Sequence, residues 1–394
     1  MGRKIHVEND GEKVKTAKTT ILASILFLSF LASAILILQT AVAEEWTTES
    51  IDTDGDADPD LDVRRRNGEV HVDLDRDGVI DEGEPYRQGV DEVHIFKGIG
   101  VIIRITYVWD PEAGEEQVIE TFRAKNKNGD GDTEDEGEFE QITLESNAST
   151  ESPDSTNDLV QPYTGEPATE YLDFVDTEIV DLQLVGRIQE LDCTITVRQA
   201  PPINLTNTVF YTLMLDEDNM PDDNSMDFPY NGTDTMYTVI YTEAGGWEIE
   251  RAVHDGYWMV EDTNARFGLA SSLPGGFSVS MWIPLTELPE FNEVLPWKVK
   301  TETFNGDLIG DFAPDEGLAY LVYIEGDLNR DEIVDIFDVV NIAISFGTQP
   351  GDSSWNQVAD LNYDDIVDIF DVVLLAENFG KLFDVESLCP DAEV

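Results

Sequence analysis

The chain has 394 residues, 83 of them acidic and 23 basic, for a formal net charge of −60. Such a surface repels nucleic acid and anionic lipid and excludes both as partners, while inviting bound cations. A hydrophobic content of 41% excludes a wholly disordered chain, and the four histidines leave little for catalytic imidazole chemistry.

The N-terminus sets the compartment. Arg3, Lys4, Lys13, Lys15 and Lys18 precede an uncharged run, residues 21–38, and then Ala41-Val42-Ala43. A basic segment, an apolar segment and an A-x-A site describe a secretory signal peptide ending at Ala43. The apolar run is also long enough to serve as a retained membrane anchor. Either way residues 44–394 are expected outside the cytoplasm, secreted or at the cell surface, because the positive flank stays inside. The membrane is then touched only through an uncleaved N-terminal segment. Three N-x-S/T sequons, at Asn147, Asn204 and Asn231, fit export without proving it. Cys193 and Cys389 are a candidate disulfide in that compartment.

Residues 44–144 read as a small β domain with metal-clipped loops. From Asp52 to Asp60 the sequence DTDGDADPD alternates carboxylates and resembles the calcium repeats of thrombospondin-like linkers. Residues 73–84, DLDRDGVIDEGE, place Asp73, Asp75, Asp77, Asp81 and Glu84 at positions 1, 3, 5, 9 and 12 of an EF-hand loop. Gly78 sits at the sharp turn, and Val79 would offer its carbonyl at position 7. The preceding GEVHVDLD alternates like a strand, where an EF-hand has a helix. A third acidic stretch starts at Asn126 but has Gly137 at position 12, and is expected to be a turn. Residues 91–110 and 117–123 are β-branched and aromatic, hence strands.

Residues 145–168 are rich in Ser, Thr, Pro and Asn and read as a linker. From 169 to 323 the pattern predicts an antiparallel β-sandwich. Phe277, Val279, Met281 and Ile283 alternate on one strand face, residues 208–216 read as a doubly buried strand, and a Gly-Gly turn separates two strands near 245. With an acidic strand end at Leu215–Asp218 and a late GDFAPDEG from Gly310, this segment resembles a DOMON-type or family 9 carbohydrate-binding-like domain. That resemblance implies a ligand, a polysaccharide or other glycan, held on exposed aromatic rings. Trp282, opposite the apolar stripe of its strand, is the expected platform, while Trp247, Tyr257, Trp258 and Trp297 are expected in the core.

The C-terminus carries the strongest signal. Residues 327–340, DLNRDEIVDIFDVV, and 360–373, DLNYDDIVDIFDVV, match at twelve of fourteen positions. Each copy places oxygen-bearing side chains at loop positions 1, 3, 5, 9 and 12. These are Asp327, Asn329, Asp331, Asp335 and Asp338, then Asp360, Asn362, Asp364, Asp368 and Asp371. Ile333 and Ile366 would add backbone carbonyls. A calcium ion takes about 6–8 such hard oxygens at about 2.3–2.6 Å. Apolar residues then recur at helical spacing, at Ile336, Val339, Val340 and Ala343 and again at Ile369, Val372, Val373 and Ala376, with Gly347 and Gly380 as C-terminal stops.

Two D-x-N-x-D-x-x-V-D-I-F-D units joined through Trp355 resemble a dockerin domain over residues 324–384, with a short tail, 385–394, beyond. The resemblance implies an all-α, Ca2+-dependent module that plugs into a cohesin-type surface protein. It also implies partner-choosing residues at loop positions 10 and 11, here Ile336, Phe337, Ile369 and Phe370; the alternative is that these four are core. Glu332 and Asp365 depart from the family at position 6, where Gly or Asn is usual. The whole reads as a multi-domain, mainly β chain. No H-E-x-x-H or G-x-S-x-G motif is present. A non-catalytic calcium-binding protein is expected, with a dockerin-tethered polysaccharide-degrading enzyme or a structural surface-layer protein as rivals.

Overall fold

The computed structural model describes residues 45–98, 100–107, 118–152, 180–201, 208–219, 232–242, 245–254, 257–272, 276–291, 293–304, 308–314 and 318–382. The signal or anchor segment, residues 153–168 of the expected linker, Asn204, Asn231, Cys389 and the tail lie outside the described residues. No described helix is long and apolar enough to cross a membrane.

The chain is mainly β, built from antiparallel sheets. In the first unit the strands are β1 (Thr47–Ile51), β2 (Leu61–Arg66), β3 (Glu69–Asp73), β4 (Tyr86–Gln88), β5 (Val90–Gly98), β6 (Gly100–Tyr107), β7 (Ile119–Ala124) and β8 (Phe139–Ile142). They form two four-stranded sheets in simple chain order, β1 to β4 and β5 to β8. Alternation explains the packing: Leu61 and Val63, Val70 and Val72, and Val101, Ile103 and Ile105 point to one shared core with Ile51 and Phe122. Of the stretch 91–110, the described part, to Tyr107, is a hairpin of β5 against β6 turning between Gly98 and Gly100.

The second unit has β9 (Ala148–Ser152), β10 (Val180–Val185), β11 (Glu190–Val197), β12 (Thr208–Leu215), β13 (Thr235–Thr242), β14 (Gly246–His254), β15 (Trp258–Glu261), β16 (Arg266–Ser272), β17 (Gly276–Pro284), β18 (Val294–Phe304), β19 (Leu308–Ala313) and β20 (Ala319–Val322). One sheet has the order β16-β17-β11-β10-β9; the other is β15-β14-β13-β12-β18-β19, with β20 also on β18. Both sheets feed one core, in which Phe277, Val279, Met281 and Ile283 of β17 meet Tyr211, Tyr237 and Trp297.

The expected linker needs correcting here. Residues 148–152 are the edge strand of the five-stranded sheet, with Ala148 opposite Leu184. An edge strand needs only backbone pairing and one buried side chain, so a Ser/Thr-rich segment suffices.

At the C-terminus, α1 (Ile336–Ser345) and α2 (Ile369–Asn378) follow the two duplicated loops. Val334, Ile342, Val367 and Leu375 form a small core that continues into Val294 and Ile324 of the second unit. The two repeats lock reciprocally. Val334 pairs with Gly380 and Lys381 beyond α2, and Val367 with Gly347 and Thr348 beyond α1. Gly347 and Gly380 hold the left-handed φ, 77° and 86°, that ends each helix.

The units are fastened to one another. Arg104 of β6 pairs with Glu190 of β11 at 3.1 Å, and Arg266 of β16 pairs with the same carboxylate. Ile102 packs against Val185 and Ile188 alongside. This junction covers Trp282 of β17, over whose ring the Arg104 guanidinium lies.

Candidate cation-binding loops

Five loops share one backbone. Those beginning at Asp52, Asp73, Asn126, Asp327 and Asp360 each turn left-handed at positions 4 and 6: Gly55 and Ala57, Arg76 and Gly78, Gly129 and Gly131, Arg330 and Glu332, Tyr363 and Asp365. In each, the third-position side chain accepts from the fifth N–H, and the fifth side chain accepts from the seventh N–H. Such turns follow from Asp and Asn reaching their own backbone two residues on. In the loops from Asp52, Asp73 and Asn126, three carboxylate oxygens come within 4.8 Å of one another; among the described residues, the two C-terminal loops do not bring three carboxylates that close. The turns fix the seventh peptides of Val79, Ile333 and Ile366 in place.

The closing acid completes each loop. Glu84 accepts from Leu74 N–H at 2.7 Å and from Asp81 N–H at 3.0 Å. Asp338 accepts from Leu328 and Asp335, and Asp371 from Leu361 and Asp368, in the same way. Both aspartates are fully buried. Position 9 has a second use at the C-terminus: Asp335 and Asp368 are helix N-caps, each accepting from the Phe N–H two residues on at 2.7 Å. Those oxygens thus serve the helices.

Burial raises several carboxyls of these loops. Burial pushes the Asp327 carboxyl up, with Asp338 adding to it. Asp371 is raised by burial too. Asp360 is pushed up to about 6 by burial, although Arg187 opposes the shift. Asp73 is raised mainly by burial, with Glu84 contributing. Its Oδ1 is buried without a hydrogen-bond partner. Asp73, Asp75 and Asp77 bring carboxylate oxygens within 4.8 Å of one another, and His71 and Glu84 join Asp73 in a second such group. His71 Nε2 lies 2.6 Å from Glu84 Oε2, so the imidazole braces the closing acid from behind. An all-oxygen loop with an unmet carboxylate oxygen fits calcium, and Asp73, Asp75, Asp77 and Glu84 would hold it in the first unit; at the C-terminus the same spacing and turns would use Asp327, Asn329, Asp331 and Asp338, or Asp360, Asn362, Asp364 and Asp371.

One closing acid, Glu138, escaped the sequence, whereas Asp60 ends the acidic run already read there. Asp60, at the ninth position of its loop, accepts from Thr53 N–H at 2.6 Å. Glu138, at the thirteenth, accepts from Lys127 N–H at 2.8 Å. The missed signal was an acid near, though not at, position 12.

The four residues at loop positions 10 and 11 are not core. Phe337 and Phe370 are 63% and 62% exposed, and Ile336 and Ile369 are exposed beside them. Val340, Ile344 and Phe346 extend one stripe; Val373, Phe379 and Leu382 extend the other. The apolar period along each helix therefore has two faces, and only Ile342 and Leu375 with their neighbours turn inward.

Trp282 is a correction. It is 4% exposed, with the Arg104 guanidinium 5.8 Å from its ring centre. Arg104 of the first unit lies over it, so this ring is no open platform. Trp297 and Trp247 lie in or against the core as expected, but Tyr257 is well exposed.

The second C-terminal loop is clamped. Arg187 pairs with Asp360 at 3.1 Å and also with Asp365. Arg123 pairs with Asp365 at 3.1 Å, and Lys125 Nζ donates to the Asp364 carbonyl. No protein-family model matches this chain, and no curated protein matches it.

Proposed function

We propose that this is an exported, non-catalytic calcium-binding protein whose C-terminal module docks, dockerin-like, to a cohesin-type surface partner. The observation that carries the reading is the pair of exposed apolar stripes. Each starts at loop positions 10 and 11 and runs along its helix. Exposed contiguous apolar surface of this kind marks interaction sites. Its duplication follows the duplication of the acidic loops, and the closing acids that would hold the metal, Asp338 and Asp371, also accept from the N-cap N–H of the helices that present the stripes. Metal binding and presentation of the face are thereby joined. The glycan reading of the second unit loses Trp282 and has no comparable support.

The test is capture by the full chain from surface extract of the cells that make it, with calcium and with chelator. A cohesin-fold protein retained only with calcium, and lost with Phe337→Ala plus Phe370→Ala, is the expected result. Recovery of the chain alone, in calcium-induced polymers, would replace docking with a structural surface-layer role.

A further inference from the structure

We propose that residues 126–138, the loop joining β7 to β8, form a separate divalent-cation site closed by Glu138. Its sequence looks incomplete because Gly137 falls where the closing acid belongs. The backbone corrects the count. Gly137 turns left-handed, φ 80°, and Glu138 N–H donates to the Asp135 carbonyl at 3.0 Å, absorbing one extra residue. Glu138 Oε1 then accepts from Lys127 and Asn128 N–H at 2.8 and 3.2 Å. Asp338 Oδ1 accepts from Leu328 and Asn329 at the same two distances.

The decisive feature is the other oxygen. Glu138 is 4% exposed, and its Oε2 is buried with no hydrogen-bond partner. Buried carboxylate oxygens are costly to leave unmet and rarely are. Glu138 offers an oxygen within 4.8 Å of oxygens of Asp130 and Asp132. The nearby cation does not meet the need: Lys127 Nζ donates to the Gly137 carbonyl at 2.7 Å. Three carboxylates, with Asn128 beside them, are hard oxygen donors and select calcium over softer metals.

The adjoining acidic loop shows the contrast. Asp60 is as deeply buried, but Oδ2 accepts from the N–H and hydroxyl of Thr53, and Oδ1 from the Asn126 amide at 2.7 Å. Both Asp60 oxygens have hydrogen-bond partners, one of them the amide that seats Asn126, whereas Glu138 keeps one oxygen unmet; Asp52, Asp54 and Asp60 also bring carboxylate oxygens within 4.8 Å of one another.

The test is a count of tightly bound calcium per full-length chain by native mass spectrometry, with equilibrium dialysis in moderate salt to strip diffuse counterions. Glu138→Gln keeps the shape and the carbonyl acceptor but loses the charge. Asp130→Asn changes an exposed member of the same set and decides the matter if the buried variant fails to fold. Loss of one ion from either folded variant, with the remaining ions retained, is expected. A wild-type count in every variant that folds would overturn the site.

Discussion

Asp365 occupies a left-handed position, φ 70°, where a side chain costs roughly 1 kcal/mol or more over glycine. Its carboxylate pairs with Arg123 and Arg187. The departure from a loop glycine, a weakness on sequence grounds, is thus a bond to the rest of the chain. Glu332, its counterpart at φ 68°, is exposed. Glu217 is a second buried acid with consequences. Burial raises its carboxyl above the ordinary range, with the neighbouring Asp234 adding to the shift and the Thr235 hydroxyl opposing it. The folded chain then holds this proton at pH values where the unfolded chain has released it. Stability from this group is therefore greatest below the ordinary glutamate range and falls as pH rises through the raised folded value. Glu217→Gln should melt higher than wild type at pH 8 and lose the advantage near pH 4. An equal or lower melting temperature at pH 8 would contradict this reading.

Each C-terminal helix carries two apolar faces with different duties. Ile342 is fully buried. Truncation to alanine should cost about 2–5 kcal/mol and melt the module first. Phe337→Ala on the same helix should change stability by no more than about 0.5 kcal/mol, because the ring already sits in water. Chemical denaturation followed by far-UV circular dichroism separates the two outcomes; equal losses would mean that both faces are core. The loops were legible because ligand positions depend only on spacing within twelve residues. Loop 126–138 was not, since a closing acid at position 13 needs the backbone to bring it home. The strand at 148–152 was illegible for a different reason: its pairing is made by main-chain groups, which leave no mark in side-chain pattern. Trp282 was read to the correct face of β17, but alternation says nothing about what lies over that face.

Across the whole molecule, the three units meet through buried charge. Arg104, Glu190 and Arg266 join the first two, and Arg187 and Arg123 reach the third. Removing one member of such a cluster strands the others, so these contacts specify the arrangement more than they stabilise it. Gly186 seats the third unit directly. A Cβ there would overlap the Tyr363 hydroxyl and come within 2.8 Å of Asn147 Oδ1. Gly186→Ala should loosen the C-terminal module from the body and leave its own calcium binding intact. Limited proteolysis should then release a fragment holding both loop–helix repeats, which the wild type protects; an unchanged digest would show that the seat is not needed.

The clamp on loop 360–371 bears on geometry at a larger scale. A docking plug on a slack tether lets its cargo swivel, and neighbours along a scaffold then point in all directions. Here Arg187, Arg123 and Lys125 grip the plug itself. On the docking reading, the joint is stiff: the receptor's angle is passed to the β-sheet body, and copies arrayed on one scaffold would share a heading.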